Sequence, residues 1–86
     1  MTDNITDEIR QIVAVNGKLA LDVSTLTEDD DLFDAGMTSH ANVNVMLALE
    51  DAFDIEFPEK LLRRSTFQTL AAIRDTIEML LEESAA

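Results

Sequence analysis

Ser39 and His40 are the two side chains whose types and adjacency first invite a chemical reading. A serine beside an imidazole suggests nucleophilic catalysis, but residues one apart on a helix do not face each other. His40 is the single histidine, and no second base stands out. A small hydrolase built on Ser39 and His40 therefore ranks last, and no catalytic residue is expected. The run Glu28-Asp29-Asp30-Asp31 suggests a cation. A calcium loop started at Asp31, however, puts Phe33 and Ala35 where oxygen donors are needed, although Gly36 suits the turn. No metal site is expected, and the acidic run reads as a solvated loop. What remains is Ser39 itself. At the amino-terminal end of a helix it lies beside free backbone N–H groups and the positive end of the dipole, which suits a phosphate ester. The same position suits an ordinary helix cap.

The elements that must position Ser39 are helical. Ile5, Ile9, Ile12 and Val13 make one apolar face of a helix from about Thr2 to Val15, capped by Thr2 or Asn4. Asn16-Gly17 stops it, since both residues tolerate a left-handed turn. Residues 18–38 form a long loop with spaced apolar anchors, Leu19, Leu21, Val23, Leu26, Leu32 and Phe33, that pin it over the helices. The second helix begins at Thr38 or Ser39 and runs to about Phe53. Val45, Met46, Leu49, Ala52 and Phe53 are its core stripe, with Val43 and Leu47 to one side. A short connection through Pro58 leads to a turn or two of helix at Glu59–Arg63. Ser65 or Thr66 then caps a last helix that buries Phe67, Leu70, Ile73, Ile77, Leu80 and Leu81, and the tail from Glu82 frays. The expected fold is all-α: an antiparallel four-helix bundle of three main helices and one short one, forming a single domain over residues 1–86.

Composition narrows the partners. Eighteen acidic against six basic residues give a net charge of −12, which excludes nucleic acid and disfavours anionic membranes. With no cysteine, disulfides and thiolate sites are excluded. No basic amino-terminal segment or long apolar run marks a signal or a membrane span, so a cytoplasmic monomer is expected.

The stretch Asp31-Leu32-Phe33-Asp34-Ala35-Gly36-Met37-Thr38-Ser39-His40 and the phrase Ala48-Leu49-Glu50-Asp51-Ala52-Phe53-Asp54-Ile55-Glu56-Phe57-Pro58 resemble the acyl carrier protein family. There a D-L-x-x-x-G-x-D-S-L motif opens the second helix, and A-L-E-E-x-F-x-I-x-I-P closes it. The likeness covers nearly the whole chain. It implies that Ser39 carries a covalent 4'-phosphopantetheine, moved from coenzyme A by a separate phosphopantetheinyl transferase. Cargo then rides as a thioester on the arm's thiol, and the tether presents it at high effective concentration. Such a protein is a carrier and not an enzyme.

Three departures qualify the likeness. Thr38 stands where the family usually has Asp, and His40 where it usually has Leu. Positions 40–49 contain no acid, with Asn42 and Asn44 where charge is expected. A partner for that face relies more on shape and hydrogen bonds than on basic residues. The Thr-Ser-His-Ala-x-Val variant, with Leu61-Leu62-Arg63-Arg64 downstream, is similar to stand-alone carriers charged with an amino acid. In that subgroup an ATP-dependent amino acid:carrier protein ligase, a truncated homologue of class II aminoacyl-tRNA synthetases, does the loading. The resemblance implies contacts at Thr38, His40, Val43, Leu47, Leu61 and Arg64. For Arg63-Arg64 the simpler reading is a pair of helix-end cations. A polar aminoacyl cargo has little reason to enter an apolar interior, so the arm is expected to lie mostly on the surface. The alternatives are a carrier for fatty-acid, polyketide or other lipid synthesis, served by acyl-transferring enzymes, and a plain helical interaction domain whose Ser39 only caps.

Overall fold

The computed structural model describes residues 2–17, 19 and 25–85, without the side chains of residues 2–4, 84 and 85. Its α-helices are α1 (Thr2–Asn16), α2 (Ser39–Phe53), α3 (Arg64–Phe67) and α4 (Leu70–Ala85), and no strand occurs among the described residues. Helix α1 packs against both α2 and α4, and α3 lies against α4.

The apolar spacing of α1 puts Ile9 and Val13 fully inside, with Ile5 and Ile12 packed at the margin. The cap expected at Thr2 or Asn4 falls where side chains are not described. At the other end Asn16 Nδ2 donates to the Ile12 carbonyl at 3.0 Å and the Gly17 N–H to the Val13 carbonyl at 2.7 Å. The left-handed turn expected there does not form; positive φ among the described residues occurs only at Gly36 and Asp54. Gly17 matters for space instead, because a Cβ there would lie 2.7 Å from the Val13 carbonyl oxygen.

In α2 the buried row is Ala41, Val45 and Leu49, which drifts toward a partly buried Phe53 and leaves Ala52 exposed, against expectation. The helix stops at Asp54, whose φ of 53° and ψ of 50° place it in the left-handed region that carboxamide and carboxylate side chains tolerate. Glu50 then turns the chain back. Its carbonyl accepts the Asp54 and Ile55 N–H groups, and its Oε2 accepts the Phe57 N–H at 2.9 Å. This seats Phe57 in the core, its ring edge-on to Phe67 with centroids 5.2 Å apart. The first acid of the closing phrase is therefore structural.

The connection past Pro58 differs from the single short helix expected at Glu59–Arg63. A 3-10 turn covers Glu59–Leu61, and α3 follows as one separate turn. Nor do Ser65 or Thr66 cap the last helix. Thr69 does, with its Oγ1 accepting the Ala72 N–H at 3.0 Å. The cause lies in the long loop: the Leu32 N–H donates to the Gln68 carbonyl at 2.7 Å, and the Ala71 N–H to the Glu28 carbonyl at 3.0 Å. Those peptide groups leave the helical ladder, so the chain breaks between Phe67 and Leu70. Helix α4 buries Leu70, Ile73, Ile77 and Leu80 and stays helical to Ala85, beyond the expected fraying point.

The loop is thus a layer of the core. Leu26, Leu32, Ala35 and Met37 are buried, and Leu19 and Phe33 pack at the margin. Leu21 and Val23 lie outside the described residues. The acidic run is not merely solvated. Glu28 pairs with Arg74 of α4, Asp30 Oδ2 accepts the Thr27 N–H at 2.8 Å, and Asp31 accepts three hydrogen bonds. Gln68 Nε2 reaches Asp31 Oδ2 at 2.8 Å, while the Phe33 and Asp34 N–H groups reach its Oδ1.

The hydrogen bond from Gln68, aided by those backbone donors, lowers the Asp31 pKa from its ordinary 3.8. A carboxylate with a depressed native pKa binds protons more readily in the unfolded chain, so its stabilisation is present above the unfolded value. Chemical denaturation across pH should therefore show wild type more stable than Asp31→Asn at neutral pH. That gap begins to close as pH falls past 3.8 and is gone below the depressed native value. A gap independent of pH down to that range would remove Asp31 from this role.

Candidate functional site

The first loop ends in a turn that each residue of its motif helps to form. Asp31 holds the Phe33 and Asp34 N–H groups, Leu32 is fully buried, and Gly36 adopts φ 117°, which only glycine takes readily. The Met37 N–H closes the turn on the Leu32 carbonyl at 3.0 Å, and the Met37 side chain is buried. This anchor lies two residues before Ser39, so the chain enters α2 from a fixed point.

Thr38, not Ser39, caps α2. Its backbone is extended (φ −84°, ψ 166°), its Oγ1 accepts the Ala41 N–H at 3.0 Å, and its carbonyl accepts the Asn42 N–H at 2.9 Å. Ser39 is left as the first helical residue, exposed, and its hydroxyl has no hydrogen-bond partner among the described residues. The serine is therefore free for chemistry by another protein. The arrangement fits a covalent phosphate ester: an accessible hydroxyl on a helix start with no acid in its first turn. His40 is exposed as well, and no hydrogen bond joins it to Ser39.

The residues expected to meet partners do not all face outward. Val43 and Leu47 are 47% and 53% exposed on α2, as the spacing implied. Leu61, by contrast, is partly buried against the core, and its neighbour Leu62 is the one exposed, at 47%. A Leu-Leu pair on a tight turn can send only one side chain inward, and sequence spacing does not say which. Arg63 Nε donates to the Lys60 carbonyl at 3.2 Å, so it does act as a cation at a helix end. Arg64 does not. It begins α3, and its guanidinium carbon lies 4.2 Å over the Phe33 ring.

Ser39, Phe33, Asn42, Met46, Leu62 and Arg64 border one groove of about 360 Å³ between α2 and α3. Sequence spacing does not bring Phe33, Asn42 and Leu62 to the site; Asn42, standing where charge is expected, is the one signal the sequence offers. Among the described residues no group of acidic, histidine or cysteine side chains could hold a metal, and no helix is long and apolar enough to cross a membrane.

Comparison with known proteins adds the chemistry. Residues 7–77 match the family model described as a phosphopantetheine attachment site. An aminoacyl carrier protein of Agrobacterium fabrum is 45% identical over 78 residues, covering 91% of this chain and 94% of that one. A chain in the crystal structure of an engineered Bradyrhizobium japonicum glycine:[carrier protein] ligase, complexed with carrier protein from Agrobacterium tumefaciens and AMP, superposes with a TM-score of 0.83 at 45% identity. It covers 85% of this chain and 97% of its own length. A chain in the structure of the B. japonicum ligase complexed with glycylated carrier protein gives a TM-score of 0.70 at 26% identity, covering 84% and 95%.

Proposed function

The chain belongs to the family of carrier domains that bear a phosphopantetheine attachment site, and from that membership we propose that Ser39 carries the arm and that an amino acid rides on it as a thioester. One observation carries the first half: Thr38 takes the capping bond, which leaves the Ser39 hydroxyl exposed and unbonded. In the arming step the Ser39 oxygen forms a phosphoester bond as the pyrophosphate bond of coenzyme A breaks. The nucleotide half leaves with its own phosphate, and the serine proton goes to a base of the transferase. The attached group supplies a thiol that this cysteine-free chain lacks. The chain's own part is presentation: Met37 and Thr38 fix the start of α2, and Ala41 seats its first turn in the core.

The second half rests on the relatives, whose complexes pair a carrier protein with a glycine:[carrier protein] ligase and AMP or ATP. A similar ATP-dependent ligase loads this chain, docking on the acid-free start of α2 and the turn beyond Pro58. Thr38, His40, Val43, Leu47 and Arg64 are its contacts, with the exposed Leu62 in place of the inward-turned Leu61. The whole chain acts as one domain, a cytoplasmic monomer with no catalysis of its own.

Incubation with coenzyme A and a broad-specificity phosphopantetheinyl transferase should add one arm to Ser39, read by intact mass and peptide mapping. The armed protein should then take radiolabelled glycine from such a ligase with ATP, in a bond that hydroxylamine cleaves. An unmodified Ser39 overturns the carrier reading. Loading by fatty-acid enzymes but by no amino acid ligase overturns the cargo.

A further inference from the structure

The groove beside Ser39 is bordered by two hydrogen-bonding groups that the protein itself leaves unused. The Arg64 guanidinium carbon lies 4.2 Å over the Phe33 ring, a contact that restrains its position without engaging an N–H. Arg64 makes no contact ion pair or hydrogen bond among the described residues; its charge acts on the Asp31 carboxylate only from beyond contact distance, where it helps to lower that pKa. Asn42 is the second group. Its Oδ1 is shielded from solvent and has no hydrogen-bond partner, the single such buried side-chain atom among the described residues. An orphaned carbonyl of this kind is destabilising unless a donor arrives. Both side chains border the groove that Ser39 also borders, and Val43, Met46 and Leu62 give it apolar walls.

We propose that Arg64 and Asn42 are positioning residues for the arm: Arg64 holds the phosphodiester on Ser39, and Asn42, after a turn of its amide, accepts an N–H or O–H farther along the arm. The arm then lies in the groove between α2 and α3 for part of the time, in place of the wholly surface-bound arm expected from sequence. Phe33 is part of the device, because its contact restrains the guanidinium and lowers the ordering cost of each hydrogen bond. This rests on the reading that Ser39 is armed, and the test separates the two. Exposed ion pairs are weak, so the docked population should change by no more than about fivefold on losing Arg64.

The experiment compares apo and armed protein by NMR, with mass spectrometry first establishing that wild type, Arg64→Gln, Arg64→Lys and Asn42→Leu all carry the arm. An absent arm in wild type defeats the carrier reading and takes this proposal with it, whereas an arm that is present but unrestrained defeats this proposal alone. With the arm present, the Arg64 Nε–H resonance and the Asn42 side-chain amide should both shift on arming. The amides of an isotopically labelled arm should be less mobile than in a free peptide. Arg64→Gln should free them, Arg64→Lys should restore part of the restraint, and 1 M salt should bring wild type toward Arg64→Gln. Asn42→Leu should free the distal amides while leaving the Arg64 shift in place. An Arg64 Nε–H that does not move on arming, or an arm equally mobile in wild type and Arg64→Gln, overturns the proposal.

Discussion

Ser39→Ala abolishes attachment of the arm and leaves the fold intact, whereas Thr38→Ala weakens the fold and leaves Ser39 able to accept it. The two neighbouring hydroxyls differ because only one is engaged. The Thr38 Oγ1 accepts the Ala41 N–H at 3.0 Å, and its loss exposes an orphan donor at the start of α2. Replacing a capping threonine by alanine costs about 1 kcal/mol, which in a domain of this size lowers Tm by roughly 4–8 °C. Ser39 makes no such bond, so its removal should change stability by less than about 0.5 kcal/mol. Thr38→Asp should keep the cap and add a carboxylate at the positive end of the helix, worth about 0.3–1 kcal/mol. Thermal unfolding of the three variants, paired with intact mass after transferase treatment, reads both effects. A loss of stability in Ser39→Ala equal to that in Thr38→Ala would return the serine to the role of an ordinary cap.

Those two hydroxyls also mark the boundary of what the sequence made legible. Helical spacing located α1, α2 and α4 to within a few residues, because an apolar row at i, i+4 and i+8 leaves few other arrangements. The site serine was readable for the same reason: the D-L-x-x-x-G pattern fixes one turn, and the turn fixes where α2 starts. Whether Thr38 or Ser39 caps depends on φ and ψ at one residue, which no local pattern specifies. The break between Phe67 and Leu70 was hidden because its cause lies about forty residues away, in the backbone bonds that Leu32 and Glu28 make to Gln68 and Ala71. The same distance concealed Asp31, whose partner Gln68 belongs to another element. Leu61 and Leu62, and the contact of Arg64 with Phe33, were likewise decided by tertiary packing and not by spacing. What the sequence obscured was how the first loop is bonded to the segment joining α3 to α4, and that joint also frames the groove.

Leu32→Ala should therefore damage both the fold and the site. Leu32 is fully buried although it lies in no helix, its N–H donates to the Gln68 carbonyl, and its carbonyl accepts the Met37 N–H. Truncating a buried leucine costs about 2–5 kcal/mol through lost burial and the cavity left behind. Against a typical domain stability of about 5–15 kcal/mol that is a large fraction, and the Tm should fall by roughly 8 °C at the least. The effect should then spread along the chain. Phe33 loses its adjacent anchor and Met37 its fixed carbonyl, so the entry to α2 loosens, and with it the presentation of Ser39. Arming by the transferase should slow in Leu32→Ala even at temperatures where circular dichroism reports a folded protein. Amide exchange at Leu32 and Met37 should quicken by the same opening. Val43→Ala, at a site 47% exposed on the same groove, supplies the contrast, with stability expected within about 0.5 kcal/mol of wild type. Were Leu32→Ala as mild as Val43→Ala, the loop would be a covering over the helices and not part of the core, and the placement of Ser39 would have to come from α2 alone.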